Sequence, residues 1–153
     1  PQGSIDASGI VTVRRVYIDM ETGKPATTFI PGQLVKVQLT VVMPDAGSYL
    51  LIEDSLPAGL EALNEGLNTN SHVSTAYTPV PVYWQEYGYN QKEIHRDRVS
   101  FFVTEMNAGS RVFTYIARAT QTGSFTAMPA EFSAMYDPTL WGHSASDEIV
   151  IGE

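Results

Sequence analysis

A period of two in the placement of apolar residues is the feature that most constrains the fold of this chain. The segment Leu34 to Val42 reads LVKVQLTVV, and polar residues alternate there with apolar ones. Its apolar face consists of Val35, Val37, Leu39 and Val41. Successive side chains of a strand point to opposite faces, so this segment predicts a half-buried antiparallel strand.

Other segments show the same alternation with local variations. Arg98 to Val103 alternates cleanly, whereas Arg111 to Ala119 is apolar on both faces and therefore predicts a central strand. In Ile10 to Ile18 the apolar residues change face between Val13 and Val16. We expect a β-bulge in this strand, near the two arginines that separate those valines, to restore the register.

Turn sequences separate the strand candidates, which number about eight, a count typical of an immunoglobulin-like sandwich. The turns are ETGKP, IPGQ, MPDAGS, NAGS and QTGS. Only GLEALNEGL, Gly59 to Leu67, suggests a helix, and Gly66 limits its length. The fold class predicted from these patterns is all-β, an antiparallel immunoglobulin-like β-sandwich with at most one short helix.

The chain of 153 residues fits one domain. We expect residues 1–9 to be a linker or the edge of an excised segment, and residues 10–153 to form the single sandwich domain. Asn68 to Asp97 is a long aromatic-rich insertion that contains Tyr77, Tyr83, Trp84, Tyr87 and Tyr89. Such an insertion is either functional, for instance ordered by a partner, or a strand pair whose aromatic residues cap one end of the sandwich.

Charge and composition exclude several classes of function. The net charge of −8 argues against a nucleic-acid partner, and no apolar run is long enough for membrane insertion. The chain contains no cysteine, which removes disulfides, thiolate metal sites and cysteine nucleophiles. The histidines, His72, His95 and His143, are isolated in predicted loops. We therefore expect neither a metal site nor a cofactor.

The sequence also offers little for catalysis. Glu53 and Asp54 are adjacent and so point to opposite faces of a strand, where they cannot flank one substrate atom. Lys36 lies opposite the apolar face of its strand, which disfavours an isopeptide crosslink to a buried carboxyl group. We expect a protein without enzymatic activity. A carbohydrate-binding sandwich, with Trp84, Tyr87 and Tyr89 as a stacking platform, remains an alternative.

Two long segments carry a resemblance to a known family. Arg111 to Ile151 contains ARAT, then GSF, then AMYDP followed by LWGHS, and Ile30 to Asn64 contains PGQLVKVQLT and DSLPAGLE. In this order the motifs closely resemble the C-terminal macroglobulin-like domain of bacterial alpha-2-macroglobulins. The resemblance covers most of the chain beyond about Gly9 and is weakest in the aromatic insertion.

The resemblance implies a macroglobulin-like β-sandwich that is one non-catalytic domain of a large bacterial protease inhibitor. In that family a Cys–Gln thioester lies on a separate helical domain, and this chain, lacking cysteine, cannot hold it. The implied role is to dock on that thioester domain and shield it from water. The implied partners are the other domains of the parent chain and, through the parent, target proteases. The implied location is the bacterial periplasm or cell envelope, where the parent is either free or held by a lipid anchor.

Under this resemblance, the candidate site residues lie in the segment EFSAMYDPTLWGHS, Glu131 to Ser144, and in the aromatic insertion. The candidates for shielding the thioester are Tyr136, Met135, Trp141, Tyr87 and Tyr89, with Tyr136 as the main candidate. Asp137 is expected to hold a turn and Pro138 to fix its backbone. Alternatively, Met135 and Tyr136 form the inward end of a strand and Trp141 closes the sandwich end. At the level of the whole protein, the alternative function is a structural sandwich module of a bacterial surface adhesin or stalk.

Overall fold

A computed structural model of the protein describes residues 8–63 and 91–152. Within these residues the secondary structure consists of fourteen strands and no helix. The strands are Ser8–Gly9 (β1), Thr12–Asp19 (β2), Lys24–Pro25 (β3), Thr28–Phe29 (β4), Leu34–Met43 (β5), Gly47–Ser55 (β6), Leu60–Ala62 (β7), Gln91–His95 (β8), Arg98–Met106 (β9), Gly109–Ala119 (β10), Gly123–Ala127 (β11), Glu131–Ala134 (β12), Asp137–His143 (β13) and Asp147–Ile151 (β14). In this part of the chain no helix is available to cross a membrane.

The strands form two large sheets and one small sheet. The six-stranded sheet has the order β1-β13-β12-β6-β9-β8, and the five-stranded sheet has the order β3-β2-β5-β10-β7. The three-stranded sheet, β11-β14-β4, contains a parallel pair, β14 with β4, whereas all other pairs are antiparallel. The predicted all-β, macroglobulin-like antiparallel sandwich is therefore confirmed.

The hydrophobic core fills the space between the two large sheets. From the five-stranded sheet, β5 buries the four residues of the predicted apolar face, and β10 contributes Tyr115 and Ala117. From the six-stranded sheet, β6 contributes Leu50 and Ile52, and β12 contributes Phe132. Strand β10 lies between β5 and β7, which is the central position predicted from its two apolar faces.

The predicted bulge in the first long strand is wrong. Strand β2 pairs with β5 without a shift in register from Thr12 to Asp19, so its alternation continues through Arg15. Arg15 therefore faces the core and is buried, while Val16 and Ile18 lie on the outer face and are half-buried. The prediction failed because it assumed that a charged side chain must face solvent. Arg15 can face the core because Asp54 and Asp147 bind its guanidinium group there.

The predicted helical segment and loops also need correction. Leu60 to Ala62, within the segment that suggested a helix, form strand β7 beside β10. His95 lies in β8 and His143 in β13, so neither is in a loop. His72 and most of the aromatic-rich insertion lie outside the described residues, and the end of the insertion, from Gln91 onward, includes strand β8.

The N-terminal segment lies against the edge of the six-stranded sheet. Ser8 and Gly9, which the sequence placed in a linker, form β1 and pair with His143 and Gly142 of β13. The amide of Val11 then donates a hydrogen bond of 3.0 Å to the carbonyl oxygen of Trp141. These contacts bring the N-terminal backbone alongside the strand that carries the LWG motif.

Candidate functional site

The segment Glu131 to Ser144 contains a β-hairpin whose two strands, β12 and β13, belong to the six-stranded sheet. Strand β12 pairs with β13, and Ala134 is opposite Asp137, so Met135 and Tyr136 are the two residues of the turn. Side chains at such a turn extend beyond the ladder and cannot reach the core. This geometry contradicts the alternative in which Met135 and Tyr136 form the inward end of a strand. We call residues 131–143 the aromatic hairpin.

Asp137 and Pro138 begin the second strand of the aromatic hairpin. The Oδ1 atom of Asp137 accepts hydrogen bonds from the amide of Thr139, at 3.1 Å, and from its hydroxyl group, at 2.6 Å. An aspartate that binds the backbone two residues ahead stabilises a local bend. The register of the hairpin shifts just before the turn, between Ser133 and Ala134, and Pro138 lies within the part of β13 that leaves the ladder.

Tyr136 is held at the tip by a second tyrosine from strand β6. The rings of Tyr136 and Tyr49 are in an edge-to-face arrangement with centroids 5.4 Å apart and an interplanar angle of 83°. The carbonyl oxygen of Tyr49 accepts a hydrogen bond of 2.9 Å from the amide of Met135. Tyr49 has a φ of 56°, a left-handed conformation that is uncommon for a bulky residue. Tyr49 thus supports the turn through both its backbone and its ring.

The outer face of the six-stranded sheet carries further apolar side chains in one cross-strand row, which the polar Ser133 interrupts. Cross-strand pairing places Trp141 opposite Ser133, Ser133 opposite Leu51, and Leu51 opposite Phe102. Leu51 and Phe102 are half-buried. The large apolar side chains of this surface that are well exposed are Tyr136 at 80%, Tyr49 at 53%, Met135 at 47% and Trp141 at 44%.

We call the set Tyr49, Leu51, Phe102, Met135, Tyr136 and Trp141 the outer-face patch. A clustered set of exposed aromatic and aliphatic side chains is typical of a protein–protein contact. Tyrosine and tryptophan contribute large apolar area at a small cost in conformational entropy. The ring of Trp141 stacks on that of His143, with centroids 6.3 Å apart, and is partly exposed on the outer face of the sheet. This surface can bind a partner by burial of apolar area.

Sequence reasoning found half of the outer-face patch. Met135, Tyr136 and Trp141 were candidates and the structure brings them to one surface, whereas Tyr87 and Tyr89 lie outside the described residues. Tyr49, Leu51 and Phe102 were missed. The available signal was the run YLLI in SYLLIED, which is apolar on both faces although it belongs to a strand with one face in the core.

A buried ionic network lies beneath the base of the aromatic hairpin. The Nη1 atom of Arg15 is 2.5 Å from Oδ1 of Asp54, and its Nε atom is 3.0 Å from Oδ2 of Asp147. The hydroxyl group of Tyr115 donates to the second oxygen of Asp54 at 2.6 Å. The remaining acceptors for Arg15 are the carbonyl oxygens of Met128 at 2.7 Å, Ala127 at 3.2 Å and Ala145 at 3.4 Å. A guanidinium group has five N–H donors, and all are used here.

The environment of this network keeps the arginine charged. Burial alone lowers the pKa of Arg15, but the nearby Tyr17, Asp54 and Asp147 raise it by more, so the net shift is upward. Burial raises the pKa of Asp54, and the charge of Arg15 and the hydrogen bond from Tyr115 oppose that shift. Burial and the negative charge of Asp54 raise the pKa of Tyr115 well above 10.0. Sequence reasoning missed this network because its members are far apart along the chain.

No group of three or more His, Asp and Glu side chains is placed to hold a metal ion in residues 8–63 and 91–152. His95 contacts Glu93 at 3.4 Å, and Nδ1 of His143 is 2.9 Å from the carbonyl oxygen of Ser144. These two histidines of the described residues thus each contact a neighbour close in sequence. The main feature of the described surface that could bind a partner is therefore the outer-face patch.

Taken together, two packed antiparallel sheets and an exposed aromatic hairpin define a macroglobulin-like β-sandwich domain with a contact surface. The family model described as "Bacterial Alpha-2-macroglobulin MG10 domain" matches residues 9–139. The chain belongs to this family of bacterial alpha-2-macroglobulin MG10 domains.

Similar proteins agree with this assignment. The alpha-2-macroglobulin of Thermotoga maritima is 30% identical over 125 residues, and the alpha-2-macroglobulin homolog of Nostoc is 27% identical over 126 residues. These alignments cover 79% and 82% of the chain. The same alignments cover only 8% and 6% of the two relatives, so the chain corresponds to a small part of each of these long proteins.

Solved structures show the same fold. A crystal structure of native alpha-2-macroglobulin from Escherichia coli, from domain MG7 to the C-terminus, matches the whole chain with a TM-score of 0.80 and 22% identity. Salmonella alpha-2-macroglobulin reacted with methylamine matches the whole chain with a TM-score of 0.75 and 23% identity. The chain covers 25% and 10% of these two structures, respectively.

Proposed function

We propose that this chain is a non-catalytic docking domain of a bacterial alpha-2-macroglobulin-like protease inhibitor. Its outer-face patch packs on the thioester domain of the parent chain, and Tyr136 covers the thioester and excludes water from it. The observation that carries the proposal is the 80% exposure of Tyr136 at the tip of a hairpin. A largely exposed ring that a neighbouring tyrosine holds in place is suited to insertion into a partner surface.

The rest of the outer-face patch supports the same role. Leu51, Phe102 and Trp141 extend the apolar area away from the tip. In a complex, these side chains would surround Tyr136 and exclude water from its contact with the thioester domain. The membership of the chain in the family of bacterial macroglobulin domains favours this function over a spacer in an adhesin or stalk. The parent resides in the periplasm or cell envelope and meets its target proteases there.

The test uses the full parent protein and methylamine, the amine named in the Salmonella structure. Methylamine attacks the acyl carbon of a thioester, the carbon–sulfur bond breaks, and one amide and one free thiol form. Intact mass and a thiol count measure the rate of this reaction. We expect Tyr136→Ala to raise the rate about tenfold or more, the change expected when a buried aromatic contact of about 1.4 kcal/mol is lost.

Two variants serve as controls for this test. Tyr136→Phe keeps the ring, and Val112→Ala truncates an exposed apolar residue on the other large sheet. We expect Tyr136→Phe to stay close to the parental rate if exclusion of water by the ring is the main effect, and Val112→Ala to leave it unchanged. An unchanged rate in Tyr136→Ala would contradict the shielding role.

A further inference from the structure

The two ends of the aromatic hairpin meet at a single buried side chain. Ala127 and Met128 lie in the chain that enters the hairpin, and their carbonyl oxygens accept hydrogen bonds from Arg15 at 3.2 Å and 2.7 Å. Ala145 and Asp147 lie in the chain that leaves it, and they accept from Arg15 at 3.4 Å and 3.0 Å. Arg15 therefore binds both strands that support the hairpin, on either side of its base.

The base of the hairpin is also closed by its own residues. The amide of Ser144 donates to the carbonyl oxygen of Ala130 at 2.9 Å, and the hydroxyl oxygen of Ser144 accepts from the amide of Ala130 at 2.9 Å. Ala130 and Ser144 are buried. Beyond this pair, strand β12 is paired with β6, whereas β13 is paired on its other side only with the two residues of β1. The hairpin is thus held along β12 by β6 and at its tip by Tyr49, and the contacts at its base add a third constraint on its orientation.

Arg15 can hold that base firmly because it is itself fixed. Asp54, from the six-stranded sheet, accepts from Arg15 and from Tyr115 of the five-stranded sheet, so both of its oxygens are engaged. The side chains of Arg15 and Asp54 are fully buried. The planar fork of a guanidinium group can bind several acceptors in defined directions, which an ammonium group cannot do. Arg15 therefore fixes the backbone at the hairpin base relative to the core residue Asp54.

We infer that Arg15 is a positioning residue for the aromatic hairpin, which it orients from beneath so that Tyr136 stands at a fixed place on the outer-face patch. Arg15 itself lies in the core, whereas the turn at Met135 and Tyr136 is exposed, so its effect on docking is transmitted through the hairpin. The consequence for docking rests on the proposed function, whereas the positioning itself is a property of this domain and can be tested separately.

The experiment measures backbone hydrogen exchange of residues 131–143 in the full parent protein by mass spectrometry. Removal of Arg15 alone leaves Asp54 buried without its cation and can prevent folding. The main variant therefore replaces the three fully buried side chains by apolar residues, as Arg15→Met with Asp54→Leu and Tyr115→Phe, an exchange that is often neutral or stabilising. Asp147, whose side chain is 29% exposed, is left unchanged because it keeps contact with solvent. A second variant, Arg15→Lys, keeps the charge but loses the planar fork.

A stability control separates positioning from general weakening. Val35→Ala truncates a fully buried residue of β5, which pairs with Asp19 and Ala117 and is remote in register from Arg15. We expect exchange in residues 131–143 to rise about tenfold in the triple variant, with a smaller rise in Arg15→Lys and none specific to this segment in Val35→Ala. Strand β5 should keep its protection in the triple variant.

Equal protection of residues 131–143 in the parent and in the folded triple variant would overturn the inference. A rise that Val35→Ala reproduces at equal thermal stability would overturn it as well, because it would show only global weakening. The methylamine rate of Tyr136→Ala distinguishes the two proposals. If that rate stays unchanged while the triple variant still gains exchange in the hairpin, the positioning role stands and the shielding function fails.

Discussion

Gly142 lies so close to the N-terminal segment that a β-carbon on it would overlap the carbonyl oxygen of Val11. The same segment donates from the amide of Val11 to Trp141 at 3.0 Å and pairs Gly9 with Gly142. The glycine of the LWG motif is therefore required by close backbone packing, which a side chain would prevent. This contact joins the start of the described chain to the second strand of the aromatic hairpin.

Replacing this glycine should separate β1 from β13. We expect Gly142→Ala to lower the free energy of unfolding by about 3 kcal/mol, the upper range for forcing an extra carbon into a packed site, because the obstacle is backbone. Urea denaturation measures the effect. The matched control is Gly152→Ala, where no atom lies near the added carbon and the effect should stay within about 0.5 kcal/mol. Equal stability of the two variants would contradict the packing explanation.

The hydrogen bond from Tyr115 to Asp54 should contribute measurably to stability. Tyr115→Phe leaves one oxygen of a buried carboxylate without its donor, and bonds to charged groups are worth about 1.5–3 kcal/mol. We expect a loss of free energy of unfolding in that range, from urea denaturation. Tyr49→Phe, which alters a half-exposed tyrosine, should be nearly neutral. A neutral Tyr115→Phe would indicate that water replaces the missing donor.

Alkaline pH should destabilise the domain through its buried tyrosines. Burial raises the pKa of Tyr17 and of Tyr115 above the ordinary value of 10.0. Since the unfolded state then releases protons at lower pH than the folded state, this stability is complete below pH 10.0 and declines as pH rises above it. Ultraviolet absorbance of tyrosinate, followed with circular dichroism, should show these two residues ionising only as the fold is lost.

The control for this titration is the pair of single variants Tyr17→Phe and Tyr115→Phe. Each should show a shallower decline of unfolding free energy above pH 10.0 than the parent chain, because one buried hydroxyl group is gone. An identical pH slope in parent and variants would show that the destabilisation arises elsewhere.

Tyr49 and Tyr136 should act as a coupled pair in docking. Edge-to-face aromatic pairs are worth about 0.5–1.5 kcal/mol beyond the area that they bury. We expect Tyr49→Ala to accelerate methylamine uptake by the parent less than Tyr136→Ala does. In the double variant the two effects should be less than additive, because the first substitution already removes the contact. Full additivity would show that Tyr49 does not support the tip ring.

Sequence patterns predicted the sandwich well because alternation is a local property. Strand β5 and strand β9 could be identified from their own residues, and so could the central position of β10. The patterns failed where the outcome depended on distant partners. Arg15 remains in a regular strand because its acceptors lie between 39 and 132 residues away, which no local register argument includes. Leu60 to Ala62 form a strand because β10 offers an unpaired edge.

The candidate site divides in the same way. The apolar character of Met135, Tyr136 and Trp141 was visible in the sequence, and a two-residue turn explains why the first two face solvent. The run YLLI could have indicated an apolar outer face that includes Tyr49, but the support that Tyr49 gives to the turn could not be predicted, because it depends on the pairing of β6 with β12 and on a left-handed backbone conformation. Contacts between strands set the shape of the outer-face patch, and these follow from topology.

The reach of Arg15 from β2 to β14 also sets an order of events during synthesis. The strand that carries Arg15 leaves the ribosome early, whereas Asp147 and Ala145 emerge only after the aromatic hairpin has been made. Until then the guanidinium group lacks two of its acceptors, and contacts between such distant segments form late in folding. A nascent chain would therefore expose the aromatic tip before its base is anchored, a period in which chaperone binding would protect it from aggregation.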